Sequence, residues 1–327
     1  MITRRRIVLA VSASALAPPL TVFAQQRKVW RIGFLLEIKP SYYTPSLDAF
    51  KAGLSALGYA EGRDYVVELR SAQSDLARLP ALAAEMVALK VDVIVSAGTA
   101  SVVAASKATR EIPILTTTAG DPVGAGLAAS LARPGGNITG LNSLGSELYT
   151  KRLDLLRQLL PRMHRVGLLY DPNSRSGALT LTRFESDCGK LQMQPIRAPA
   201  RKAEEIVAAF KLLTHHKAQG LIVTPSGTNN ASQERIIEYA AKNHLPAIYG
   251  RSEYVNDGGL FSYGADYADL YRRTAAYADK IFKGTKPGDL PIEQPAKFEL
   301  VINLKTAKTL GIRIPQSILV QATKVIE

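Results

Sequence analysis

One cysteine, four histidines and a single tryptophan are all that 327 residues hold of three side chains that often mark chemistry. With Cys188 alone, no intrachain disulfide and no paired cysteine framework can form. His164, His215, His216 and His244 fall on expected helix ends or turns, and none has ligand spacing with a carboxylate, so no metal site is expected. A G-x-S-x-G elbow and a Walker loop are both missing, which speaks against an enzyme, and no cofactor is expected. Lysine and arginine are scattered and form no basic stripe interleaved with aromatics, so no nucleic-acid partner is expected despite a formal charge of +13. Past the N-terminal segment no apolar run is long enough to span a bilayer, so the mature chain is expected not to span a membrane and to be a monomer.

What is present at the start is an address. Thr3-Arg4-Arg5-Arg6 forms a charged region, Ile7 to Leu16 an apolar one, and Val22-Phe23-Ala24 ends on a small residue before Gln25-Gln26. Residues 1–24 therefore read as a signal peptide of the Sec or twin-arginine kind, which places the mature chain in the periplasm.

The body alternates short apolar runs with segments of helical spacing. WRIGFLLE (30–37), YVVELR (65–70), VDVIVS (91–96) and 112–115 read as strands, separated by helices over 45–57, 76–89 and from Gly98 through Ala108. A Thr/Gly/Asp/Pro cluster and a short helical pattern over 123–131 follow, then Pro134-Gly135-Gly136 and a new extended piece at 138–141. Beyond residue 143 the pattern restarts, with helices at 148–160, 179–191, 203–213 and 233–243 and strands at 165–170, 194–197, 220–224 and 246–249. A long helix over 266–282, a Pro/Gly-rich connection, a strand at 298–303 and helices over 305–310 and 316–326 complete the chain. The expectation is an α/β protein of two Rossmann-like lobes with parallel sheets. Lobe 1 is expected over 27–142 plus 263–290, and lobe 2 over 143–262 plus 291–327.

Open parallel sheets bind ligands beyond the carboxyl ends of their strands. In lobe 1 that selects the loops at 39–44, 96–101 and 117–122; in lobe 2 it selects 171–174, 224–230 and 249–253. Gly98-Thr99-Ala100-Ser101 could bring a backbone, a hydroxyl and the free N–H groups of a helix start to a ligand carboxylate, or be a plain N-cap. Asp121 and Asp266 could each pair with an amine or cap the helices they precede, and Tyr42, Tyr43, Tyr249 and Tyr263 could cover a ligand or pack the lobes together. Gly124-Ala125-Gly126 could cradle a phosphate, but it stands too far from the preceding strand for a dinucleotide fingerprint.

Asp121-Pro122-Val123-Gly124-Ala125-Gly126-Leu127, Leu131-Ala132-Arg133-Pro134-Gly135-Gly136-Asn137-Ile138-Thr139-Gly140, Lys151-Arg152-Leu153, Leu245 to Gly250, Ser262-Tyr263-Gly264 and Glu299 to Ala307 together resemble the ABC-transporter substrate-binding proteins of the tryptophan/tyrosine-binding type. The resemblance covers essentially the whole mature chain. It implies a type I periplasmic-binding-protein fold with three hinge crossings, and a small-molecule ligand closed between the lobes and passed to an ABC permease with its ATPase. The alternative is a sensor subunit presenting its ligand state to a membrane receptor. By position, the resemblance implies ligand contacts at Gly98, Thr99, Ala100, Asp121, Asn142, Tyr263 and Asp266. Members that bind aromatic amino acids carry an acid after the strand corresponding to 220–224; here the loop is Pro225-Ser226-Gly227-Thr228-Asn229-Asn230, which would suit a ligand with a carboxylate and no amine.

Overall fold

The computed structural model describes residues 28–145 and 148–327; the expected signal peptide at 1–24 lies outside the described residues. Trp30–Leu36 (β1) leads into Thr44–Ala56 (α1), Tyr65–Ser71 (β2), Leu79–Ala88 (α2), Val93–Ala97 (β3), Thr99–Ala108 (α3), Ile114–Ala119 (β4) and Ile138–Asn142 (β5). These strands pair in parallel in the order β2, β1, β3, β4, β5. A parallel sheet covered on both faces needs near-continuous apolar strands, and β3 is buried at every position while β1 is buried from Ile32 onward.

The chain then crosses to a second sheet. Its elements are Tyr149–Leu159 (α4), Arg165–Tyr170 (β6), Arg175–Lys190 (α5), Gln194–Pro199 (β7), Ile206–His215 (α6), Gly220–Val223 (β8), Gly227–Ala231 (α7), Gln233–Lys242 (α8), Ala247–Tyr249 (β9), Glu253–Asn256 (α9) and Phe261–Ala265 (β10). Tyr267–Phe282 (α10) returns to the first lobe and lies on α1, where a Cβ on Gly53 would stand only 2.6 Å from the Arg272 carbonyl oxygen. Ile292–Glu293 (β11) then joins the first sheet beside β5. Phe298–Asn303 (β12) goes back to the second sheet, antiparallel to β10, and is followed by Leu304–Thr309 (α11), Gln316–Leu319 (α12) and Lys324–Ile326 (β13). The second sheet runs β7, β6, β8, β9, β10, β12, β13.

The protein is thus an α/β molecule of two mostly parallel sheets joined by three crossings, after Asn142, after Ala265 and after Glu293. The last two lie a few residues later than the 262/263 and 290/291 boundaries expected from sequence. Among the described residues no helix is long and apolar enough to cross a membrane.

Arg152 stands where two crossings meet. It is 2% exposed, and it donates from Nε to the Tyr263 carbonyl at 2.8 Å and from Nη1 to the Gly145 carbonyl at 2.9 Å. Burial pulls its pKa down to about 10, so the guanidinium remains charged at neutral pH and draws both segments onto one point.

Three local expectations fail for identifiable reasons. The helix expected at 123–131 is a set of turns, because Gly126 takes φ +70° and ends the turn that the Asp121 carboxylate opens at the Gly124 N–H, 2.7 Å away. The strand expected at 112–115 runs Ile114–Ala119 instead, so Thr116, Thr117 and Thr118 belong to a strand, which suits their β-branching. The closing helix stops at Leu319, and Lys324–Ile326 pairs in parallel with β12.

Candidate functional site

Each sheet reverses its strand order between its first strand and its third, and the crevice for a ligand opens there. In the first lobe the reversal lies between β1 and β3, so the segments after Leu36 and after Ala97 adjoin. In the second it lies between β6 and β8, which brings together the segments after Tyr170 and Val223. The two crevices face each other across a single cavity of about 590 Å³.

Both lobes place an acid at the end of the first strand. Glu37 follows β1, is 4% exposed, and accepts the Ser101 N–H at 3.0 Å at the start of α3. A carboxylate there meets the positive end of the helix. Asp171 follows β6, is 8% exposed, and accepts the Thr228 hydroxyl at 3.0 Å at the start of α7 and the Asn173 N–H at 2.9 Å. Both acids border the cavity.

Burial pushes the Glu37 carboxyl up to about 7, against the pull of the Ser101 and Ala100 N–H groups and of Arg251. The folded protein therefore holds this proton more tightly than the unfolded chain does. Stability is lost as pH rises from about 4.5 through 7, by up to about 3 kcal/mol. Glu37→Gln keeps an acceptor for Ser101 and removes the titration. Denaturant unfolding across this window is expected to show a steeper decline in the wild type than in Glu37→Gln; equal slopes would contradict the assignment.

Arg251 follows β9 and is the central cation. It is 5% exposed and borders the cavity. Glu253 accepts from its Nε at 3.2 Å and from its Nη2 at 2.6 Å. Burial alone would pull this guanidinium down, but Glu253 outweighs that and holds it well above its usual range. Its carbon lies 4.6 Å from the Tyr267 ring and 5.9 Å from the Tyr43 ring, both in the first lobe, and these cation–π contacts cross the cleft. Two further contacts bring the lobes together. Tyr42 donates its hydroxyl to Glu234 Oε1 at 2.9 Å, and Gly227 abuts Leu76 and Glu37.

Gly98, Thr99, Ala100 and Asp121 all border the cavity. The space that Gly98 leaves is taken by Glu37: a Cβ there would stand 2.3 Å from Glu37 Oε1. The N–H groups of α3, which could have served a ligand carboxylate, thus meet the chain's own. Thr99 Oγ1 accepts the Gly120 N–H at 3.3 Å. Asn142, Tyr263 and Asp266 are not on the cavity wall. Asn142 is buried in β5, and its neighbour Ser143 borders the cavity instead. Tyr263 stacks on Phe298 with centroids 6.3 Å apart. Asp266 caps α10 by accepting the Asp269 N–H at 2.9 Å. Sequence reasoning missed Glu37, and it placed Asp171 and Arg251 in ligand-side loops without singling either out. A signal existed for the first two, since each is an acid immediately after the first apolar strand of its lobe.

Comparison with known proteins agrees with this geometry. The family model described as ABC transporter substrate binding protein matches residues 39–326. A tyrosine-binding protein from Clostridioides difficile is 29% identical over 273 residues, covering 82% of this chain and 78% of that one. The crystal structure of a conserved domain protein from Vibrio cholerae is 28% identical with a TM-score of 0.83, covering 91% of this chain and all (100%) of that one. A Streptococcus pneumonia ABC domain solved in complex with L-Trp shares the fold at 24% identity and the same TM-score of 0.83, covering 91% of this chain and 100% of its own. Two parallel sheets facing across a shared cavity and a match over nearly all the described residues have one meaning: the chain belongs to the ABC transporter substrate binding protein family.

Proposed function

We propose that the protein captures a small organic solute between its lobes and delivers it to an ABC importer. The observation that carries this reading is the cavity of about 590 Å³ walled by both sheets and bridged by Arg251, Tyr43 and Tyr267. Such a volume suits a solute of amino-acid or aromatic-acid size. That matches the tyrosine and L-Trp named for two relatives. Bringing the lobes together buries the solute, and binding favours that state only through its higher affinity for it. The joined lobes are then the form that a permease with its ATPase reads. In this reading residues 1–24 are the signal peptide that takes the protein to the periplasm. No observation favours the sensor alternative.

Gly98, Thr99, Ala100 and Asp121 are the proposed first-lobe contacts, with Ser143 at the first crossing and Asp171 and Arg251 opposite. Asn142, Tyr263 and Asp266 would act from behind the wall. The reading is tested by a thermal-shift screen of amino acids, aromatic acids and other small carboxylates, followed by calorimetry on any hit. Asp121→Ala releases the turn that its carboxylate fastens at the Gly124 N–H on the cavity wall, and is expected to weaken the hit by about tenfold, the scale of one lost charged hydrogen bond. Undiminished affinity would remove Asp121 from the site.

A further inference from the structure

A guanidinium has five N–H donors arranged on two edges. Glu253 takes the side edge of Arg251, through Nε and Nη2. Among the described residues Nη1 donates to no protein acceptor, although Arg251 is 5% exposed and borders the cavity. A donor edge that no protein group fills, on a side chain bordering the cavity, points to an acceptor supplied from the cavity. The planar acceptor that matches a guanidinium edge is a carboxylate.

The acids of the wall are in the opposite condition. Glu37 is engaged by the Ser101 N–H, Asp171 by the Thr228 hydroxyl and the Asn173 N–H, and Asp121 by the Gly124 N–H. Each fastens a helix start or a turn of its own lobe. None of these carboxylates is without a protein donor, so an ammonium group entering here would meet no unengaged acid. The rest of the wall includes apolar surface from Leu76, Leu79 and Val103.

We infer that Arg251 anchors the solute by its carboxylate, and that the solute class is a small carboxylic acid with an apolar body and no α-ammonium group. This rests on the solute-binding reading and deepens it by naming what the cavity selects.

Matched pairs test it directly: 3-phenylpropionate against L-phenylalanine, and 4-methylpentanoate against L-leucine. Each pair differs in the amine. Calorimetry on the wild-type chain is expected to give the amine-free acid of at least one pair an affinity at least about tenfold above its amino acid, the scale of one uncompensated polar group. Arg251→Lys keeps a charge for Glu253 but loses the two-pronged edge, and is expected to lose at least about tenfold in affinity for the same acid. Its unfolding temperature, measured alongside, shows whether it folds. Tighter binding of the amino acids, or no binding by any of the four compounds, overturns the assignment, as does a folded Arg251→Lys that binds the acid as tightly as the wild type. Solute capture as such falls separately, if a wide solute library fails to stabilise the wild-type protein.

Discussion

Gly227→Trp is expected to abolish solute binding and leave both sheets folded. Gly227 opens α7 in the second lobe, yet its surroundings belong to the first. A Cβ there would stand 2.8 Å from Leu76 Cδ1 and 3.0 Å from Glu37 Oε2. An indole cannot enter that gap unless the lobes part. With the lobes apart the same side chain faces solvent at the first turn of a short helix, where tryptophan is tolerated. The substitution therefore acts on the joined state and spares the fold. Because a bound solute needs walls from both lobes, the loss should be at least about a hundredfold, close to 3 kcal/mol. Calorimetry with a screened solute measures it, and circular dichroism with thermal unfolding reports the fold. Affinity within about twofold of the wild type would contradict the role given to this contact.

Gly98→Ala is expected to act on stability. The backbone at Gly98 has φ 101° and ψ 162°, a region that residues with a side chain avoid. The added methyl would also meet the Glu37 carboxyl, which is buried and fastened to Ser101. Strain of about 1–3 kcal/mol joins the displacement of a buried charged hydrogen bond, itself roughly 1–3 kcal/mol. Against a whole-domain stability of about 5–15 kcal/mol the combined loss is a large fraction. A fall in unfolding temperature of about 4 °C or more is expected by differential scanning fluorimetry. A shift within a degree or two would mean that Glu37 has room to move aside, and that the helix cap matters little.

Much of the architecture was legible because parallel strands buried on both faces announce themselves as apolar runs. WRIGFLL, RVGLLY and FELVIN are strands within a residue of where the pattern put them. The long helix could be placed from its spacing and from Asp266, which does cap it. The segment at 123–131 could not be read correctly, since its helical spacing says nothing of the left-handed backbone that Gly126 adopts. Threonines 116–118 looked like a loop by composition, and only their neighbours in the sheet make them a strand.

The site was half legible for a related reason. Loops at the strand ends could be named without a structure, and Gly98, Thr99, Ala100 and Asp121 border the cavity. What each polar group is bonded to could not be read, because that depends on partners far away in sequence. Glu37 reaches a helix 64 positions on, and Arg152 ties itself to a carbonyl 111 positions away. Arg251 drew no notice as a lone charge in a loop. Its meaning comes from two tyrosines of the other lobe and from a glutamate two residues ahead that takes its Nε and Nη2.

A bound solute is expected to draw the two lobes together around itself. Small-angle X-ray scattering on the wild type and on Gly227→Trp, each with and without a saturating carboxylic acid from the screen, measures this. The wild type is expected to contract on adding the acid, and Gly227→Trp to stay extended in both conditions. A wild-type profile unchanged by a solute that calorimetry shows to be bound would contradict it.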